Sequence, residues 1–487
     1  MSLPTWESNV AYEEGKDWLA KKMQCGYPRF FVHPIIQNLA QEILHRYGDS
    51  ETEAATLFPS PKTAEVCYSF ILSRISPEES SKMRIMNFVP SARTEAESPA
   101  VTSRLSCVVY PKEFAPIAKQ VWQHSGNGVS SRRAEFCLRA LEDNFLVEEN
   151  STKMADATAQ RPCKGPRRYQ GKGSISGLSR GAPGSSLAVD GQDGREYAQF
   201  IEERFGRNLS TSLADKAKLA VRRRIAGVMT ADAELSEALA KTSAEGRVAG
   251  LTEDDVYLFP SGMSSIFNAH QIAMATRGTE KKSICFGFPY IDSLKVLEKW
   301  GPGCLFYGHG SSKELDDLES RLANGERYSA LFTEVPGNPL LKTPDLKRIR
   351  SLADKYGFLV VVDETVGNFL NINVLPYTDV VVSSLTKIFS GDSNVMGGSA
   401  VINPHGQFYQ ELKEAFNKNY EDNYWAEDAV FLERNSRDFV SRIEKINGTT
   451  EDITVVLKES PLGKLISEPL QHHIYTNYIY SERGLLS

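Results

Sequence analysis

The stretches FLVVVDET (358–365) and DVVVSSLTK (379–387) decide the fold. Each is a short run of β-branched apolar residues with no polar alternation, ending abruptly in carboxylate, hydroxyl or amine side chains. A run of this kind is buried on both faces, which is the signature of a strand inside a parallel sheet. Working outward, VYLFPSG (256–262), KSICFG (282–287) and YSALFTEVPGNP (328–339) end in the same way. Between them lie amphipathic segments with helical spacing: SLKVLEKW (293–300), KELDDLESRLA (313–323) and TPDLKRIRSLADKYG (343–357). The alternation predicts βαβ units and a parallel sheet covered by helices on both faces, an α/β class.

Composition sets the outer limits. The 487 residues correspond to roughly three domains at about 150 residues each. With 41% hydrophobic and 10% aromatic residues, the chain can fill a large core, which excludes wholesale disorder. The net charge of −6 argues against a dedicated nucleic-acid binder. MSLPTWESNVAYEEGKDW lacks the charged and apolar regions of a secretory signal, and no stretch approaches the about 20 apolar residues of a membrane span. The seven cysteines are scattered without a CxxC pair, so neither a zinc site nor a disulfide framework is indicated. The expectation is a cytoplasmic protein.

The rest of the chain divides into regions of different character. Residues 1–150 read as an N-terminal α/β region. FVHPIIQNLAQEILHRYG (31–48) aligns Ile35, Ile36, Leu39, Ile43 and Leu44 on one helical face, SRLSCVVY (103–110) reads as a buried strand, and SSRRAEFCLRALEDNFLVEE (130–149) as a helix capped by serine. Residues 151–194 read as a Gly/Ser/Pro and basic linker. Helices resume at REYAQFIEERFG (195–206) and SLADKAKLAVRRRIAGVM (212–229), with Arg222, Arg223 and Arg224 expected on a solvated helix face. Residues 195–433 are the expected cofactor-binding sheet, and 434–487 a connecting helix followed by a Tyr-rich segment, the start of a further domain.

Ligands of a doubly wound sheet collect beyond the carboxyl ends of its strands. There the sequence places Ser261-Gly262-Met263-Ser264-Ser265 ahead of a helical pattern, a turn whose backbone N–H groups suit a phosphate. Asp363 ends one apolar run, where a carboxylate is costly without a cationic partner. Lys387 ends another, among small hydroxyl residues that suit a nucleophilic amine. Asn338 is presented by the rigid turn Pro336-Gly337-Asn338-Pro339. Singly, each has an ordinary explanation as a cap, a solvent-facing charge or a turn former. Together they match the electronics of pyridoxal phosphate: an amine for the aldehyde, a carboxylate for the ring nitrogen, and hydroxyls and amides for the phosphate.

SGMSS (261–265), EVPGNP (334–339), VVVDET (360–365) and SSLTKIFSGDSNVMGG (383–398) occur in an order and spacing that resemble the pyridoxal-phosphate enzymes of cysteine and methionine metabolism, in particular the fungal cystathionine gamma-synthase branch. GYPRFFVHP (26–34) and WQHSGNGVSSRRAEF (122–136) extend the resemblance over nearly the whole chain. It implies the large domain of a fold type I transferase. It also implies Lys387 as the lysine that binds the cofactor's aldehyde and shuttles protons, Asp363 at the pyridine nitrogen, and Asn338 near the 3-hydroxyl. Ser384 and Thr386, with the amides of Gly262 and Met263, would hold the phosphate, and Tyr290 in FGFPYIDSL (286–294) would stack on the ring. FGRN (205–208) is similar to the family's Tyr-Ser-Arg element, with Phe205 in place of the tyrosine. Its Arg207 implies a homodimer or homotetramer with shared active sites. No metal is expected.

The implied reaction is γ-replacement on an O-acetyl- or O-succinyl-homoserine by a nucleophile such as cysteine. The alternatives are β- or γ-elimination, and a degenerate cofactor-binding protein of weak activity. The last follows from the C-terminus: the chain reaches Ser487 without the family's Ser-x-Gly-x-Glu motif and the carboxylate-binding arginine before it, so a truncated small domain is expected.

Overall fold

The computed structural model describes residues 5–14, 16–20, 22, 31–91, 103–149, 213–227, 232–240 and 247–460. The linker 151–194, the segment holding Arg207, and the Tyr-rich C-terminal segment lie outside the described residues.

The strand ends picked out from sequence belong to one seven-stranded sheet. Its members are β5 (Val256–Phe259), β6 (Ser283–Phe286), β7 (Cys304–Tyr307), β8 (Ala330–Glu334), β9 (Leu359–Asp363), β10 (Val380–Ser384) and β11 (Gly398–Ile402), in the order β5-β11-β10-β9-β8-β6-β7. The five strands from β10 to β7 run parallel, while β11 pairs antiparallel with both β10 and β5. The apolar runs show why both faces are covered. Val360, Val362 and Val381 enter one core cluster with the helices Ser312–Ala323 and Leu346–Tyr356. Leu359, Val361, Val380 and Val382 enter the other, with the helices Gly262–Arg277, Ile291–Lys299 and Tyr409–Asn419. Side chains two apart along a strand share a face, so each valine run feeds two cores at once.

The N-terminal region forms a four-stranded antiparallel sheet, from β1 (Glu53–Phe58), β2 (Arg84–Pro90), β3 (Leu105–Pro111) and β4 (Leu146–Glu148), in the order β1-β3-β2-β4. The helices Pro34–Tyr47 and Ser131–Glu142 cover one face, burying Leu39, Ile43 and Leu44 as the helical spacing predicts. Pro61–Leu72 and Ala115–Ser125 cover the other. Lying between these layers, β3 is buried along nearly all its length. Ser130 caps its helix by accepting the Arg133 N–H at 3.2 Å.

One expectation is overturned. The arginine run on the helix Ala214–Ala226 is not a solvated face: Arg224 is buried and donates to the equally buried Glu433 at 2.8 Å, to Ser436 Oγ and to the Ala233 carbonyl. Arg223 pairs with Glu253 at 3.0 Å. Successive helical residues rotate by about 100°, so three in a row sweep about 200° and one of them must turn inward on a packed helix.

Candidate active site

A cavity of about 640 Å³ opens beyond the carboxyl ends of the central strands. Gly262, Met263, Tyr290, Thr386 and Lys387 line it.

The turn after β5 builds one wall. Ser261 is extended and caps the helix Gly262–Arg277, its Oγ accepting the Ser264 N–H at 3.1 Å. The first N–H groups of that helix have no partner within it, so Gly262 and Met263 begin a donor cluster with the positive end of the helix dipole behind it. Gly262 is required here by contact: a Cβ would lie 2.6 Å from Ser384 Cβ and 3.0 Å from Ser384 Cα. β11 reaches in from the other side, where a Cβ on Gly398 would lie 2.1 Å from the Ser261 carbonyl oxygen. Two glycines therefore let β10, β11 and the turn close on one another.

Lys387 follows β10 in a tight turn, its N–H donating to the Ser384 carbonyl at 3.3 Å and its carbonyl accepting from the Gly391 N–H at 2.9 Å. Thr386 Oγ1 accepts the Gly397 N–H at 3.2 Å, tying this turn to the start of β11. The Ser384 N–H donates to Thr365 Oγ1 at 2.8 Å, joining the ends of β9 and β10. Asp363 closes β9 and accepts the Thr365 N–H at 2.9 Å. Burial raises its carboxyl above the ordinary range, Thr365 opposes that rise, and no cation among the described residues pairs with it. Tyr290 stands at the start of the helix Ile291–Lys299.

Asn338 sits on an exposed turn between two cis-proline bonds, and neither it, Ser384 nor Asp363 is among the cavity's lining residues. Arg207 lies outside the described residues.

Sequence reasoning missed two contributors. Glu334, at the end of β8, stands in register with Asp363 and accepts the backbone N–H of Tyr290 and of Asn338. Its signal was available in EVPGNP, a carboxylate ending an apolar strand just as Asp363 does. The second contributor is the segment from Trp122 to Arg132, which lines the same cavity as Lys387.

Two family models cover the chain. Residues 35–130 match the fungal trans-sulfuration enzyme N-terminal domain, and residues 236–481 match the Cys/Met metabolism PLP-dependent enzyme family. The cystathionine gamma-synthase of Neurospora crassa is 48% identical over 98% of this chain and 81% of its own length. The chain belongs to the Cys/Met metabolism PLP-dependent enzyme family.

Other relatives align over a similar extent. A cystathionine gamma-synthase-like enzyme of Amanita muscaria is 39% identical over 99% of this chain and 77% of its own length. Among solved structures, cystathionine gamma synthase from Xanthomonas oryzae pv. oryzae matches at 23% identity and a TM-score of 0.35, over 42% of this chain and 52% of that one. The family's cofactor is pyridoxal phosphate, and the residues present fit it. Asp363 is a carboxylate with no cationic partner among the described residues, and Lys387 is an amine lining the same cavity as Gly262 and Met263, the first residues of their helix. Among the described residues no helix is long and apolar enough to cross a membrane, and no cluster of His, Cys, Asp or Glu suits a metal.

Proposed function

We propose that this family member catalyses γ-replacement on an O-acyl-L-homoserine, joining a thiol such as L-cysteine to give cystathionine. The supporting observation is the 48% identity to a cystathionine gamma-synthase over 98% of the chain, with its lysine-bearing cavity inside the aligned region.

When bound, the cofactor supplies a ring that withdraws electron density from the substrate's α-carbon. The chain's residues do the rest. Lys387 would hold the cofactor's aldehyde carbon, and its amine would carry protons at the substrate's α- and β-carbons. The Asp363 carboxylate would hold a proton on the pyridine nitrogen, which would supply the cationic partner that it lacks. Gly262 and Met263, with Ser384 and Thr386, hold the phosphate through N–H and O–H donors. Tyr290 would stack on the ring, and Asn338 would lie near the 3-hydroxyl. A homo-oligomer in which Arg207 reaches a neighbour's phosphate, acting in the cytoplasm, completes the proposal.

The test is product analysis. Purified protein given O-acetyl-L-homoserine and L-cysteine should form cystathionine, and Lys387→Ala should lose both the visible absorbance band of lysine-bound cofactor and at least about a thousandfold in rate. Formation of 2-oxobutanoate and ammonia, with no incorporation of the thiol, would favour elimination and overturn the replacement reading.

A further inference from the structure

The family match treats residues 35–130 and the cofactor-binding region as separate modules, yet in the structure they meet at the phosphate turn. The segment from Trp122 to Arg132 leaves the helix Ala115–Ser125 and runs along the cavity, making contacts at three places on its rim. Gln123 Nε2 donates to both oxygens of Asp292, two residues beyond Tyr290, at 3.2 Å each. Arg132 donates to Asp428 at 3.0 Å and to the Asn394 carbonyl at 2.8 Å, on the loop that follows Lys387.

The middle contact is the closest. Gly126 has φ +60°, and a Cβ there would lie 2.3 Å from Ser261 Oγ and 2.7 Å from the Ser264 nitrogen. Only glycine allows this approach without moving the turn. Ser261 Oγ donates to the Gly126 carbonyl at 3.0 Å, and Ser264 Oγ donates to Asn127 Oδ1. Ser264 is fully buried and Asn127 nearly so. Both hydroxyl protons of the turn are thus taken by the N-terminal domain. That leaves a Ser261 lone pair to accept the Ser264 N–H, with Gly262 and Met263, the first residues of the helix, lining the cavity.

We propose that the N-terminal domain is part of the cofactor site: its Gly126–Asn127 turn holds the Ser261–Ser264 turn in its phosphate-binding shape, with Asn127 the positioning residue. The inference rests on pyridoxal phosphate occupying this cavity. It assigns to the N-terminal domain a role in cofactor retention, exerted within one chain.

The test is titration of the apo-protein with pyridoxal phosphate, followed by visible absorbance and by the 31P resonance of the bound phosphate. Asn127→Ala and Gly126→Ala should raise Kd by about tenfold or more and shift the 31P resonance, because a buried hydroxyl loses its acceptor or the turn is displaced. Asn127→Ala adds nothing to the alanine variant of Ser264 if it acts through that hydroxyl. Lys62→Ala, which removes a contact between the same two regions (Lys62 Nζ to the Asn419 carbonyl, 2.6 Å) away from the cavity, should bind as wild type. Wild-type Kd and an unshifted resonance in Asn127→Ala would overturn the inference, as would an equal loss in Lys62→Ala. A wild-type protein that binds no pyridoxal phosphate would overturn the cofactor reading and this inference with it.

Discussion

At Glu334 and Asp363, strand register sets two carboxylates side by side at the end of the sheet. Burial, and then the neighbouring Asp363 charge, push Glu334 up to about 7, against the N–H groups of Tyr290 and Asn338 that favour its ionised form. A carboxyl whose folded pKa lies above its unfolded value of 4.5 binds more protons folded than unfolded between those two values. Its contribution to stability is therefore lost as pH rises through that window. Urea unfolding of the apo-protein from pH 5 to pH 7 should show this decline, and Glu334→Gln should flatten it; an unchanged slope in the variant would assign the decline to other groups. Asp363 and Lys387 were legible in sequence because each ends an apolar run in a group that is costly there. Glu334 ends a run as well, but its importance comes from which strand lies beside it, and no local pattern states that.

The central strands β8, β9 and β10 were legible as elements because short apolar runs ending in polar groups have few other destinations than a two-faced sheet. β7 and β11 were not. β7 is four residues at the sheet edge, with Phe306 exposed, between Gly303 and Gly308. β11 begins Gly398-Ser399-Ala400, small residues that read as loop, and the Ser261–Ser264 turn presses against Gly398. The helix Ala214–Ala226 was found and its face misjudged, since charge alone does not say whether a buried partner waits. Glu433, from the helix Ala426–Asn435, is that partner. Arg437 also pairs with Glu433, at 2.9 Å, so Arg224→Met leaves that carboxylate one partner and should cost less in chemical unfolding than the about 3–5 kcal/mol of a fully broken buried pair. Arg224→Met with Glu433→Leu should recover most of it; no recovery in the double variant would mean that Arg224 acts through its bonds to Ser436 and Ala233 instead.

Across the whole molecule, the N-terminal layer docks on the cofactor-binding sheet by side chains far apart in sequence. Phe70 stacks on Trp300 at 4.1 Å and 19°, and Trp300 meets Phe267 edge-on at 5.0 Å. Buried Arg133 spans the junction, donating to the Pro59 and Arg104 carbonyls and, at 3.5 Å, to the Asn423 carbonyl. Trp300→Ala should cost about 3 kcal/mol and weaken the coupling between the two layers, so that calorimetry resolves two transitions where the wild type shows one. A single transition at the wild-type temperature would show that the ring pair contributes little. The sequence by itself determined the α/β class, the strand ends and the cofactor chemistry, because apolar periodicity and the polar residue that interrupts it are local properties. Only the tertiary structure decided which carboxylates share a register, which arginine is buried, and that Gly126 and Asn127 reach the Ser261–Ser264 turn. Those depend on pairings between residues far apart in sequence, and the close approach of two surfaces is written in neither surface alone.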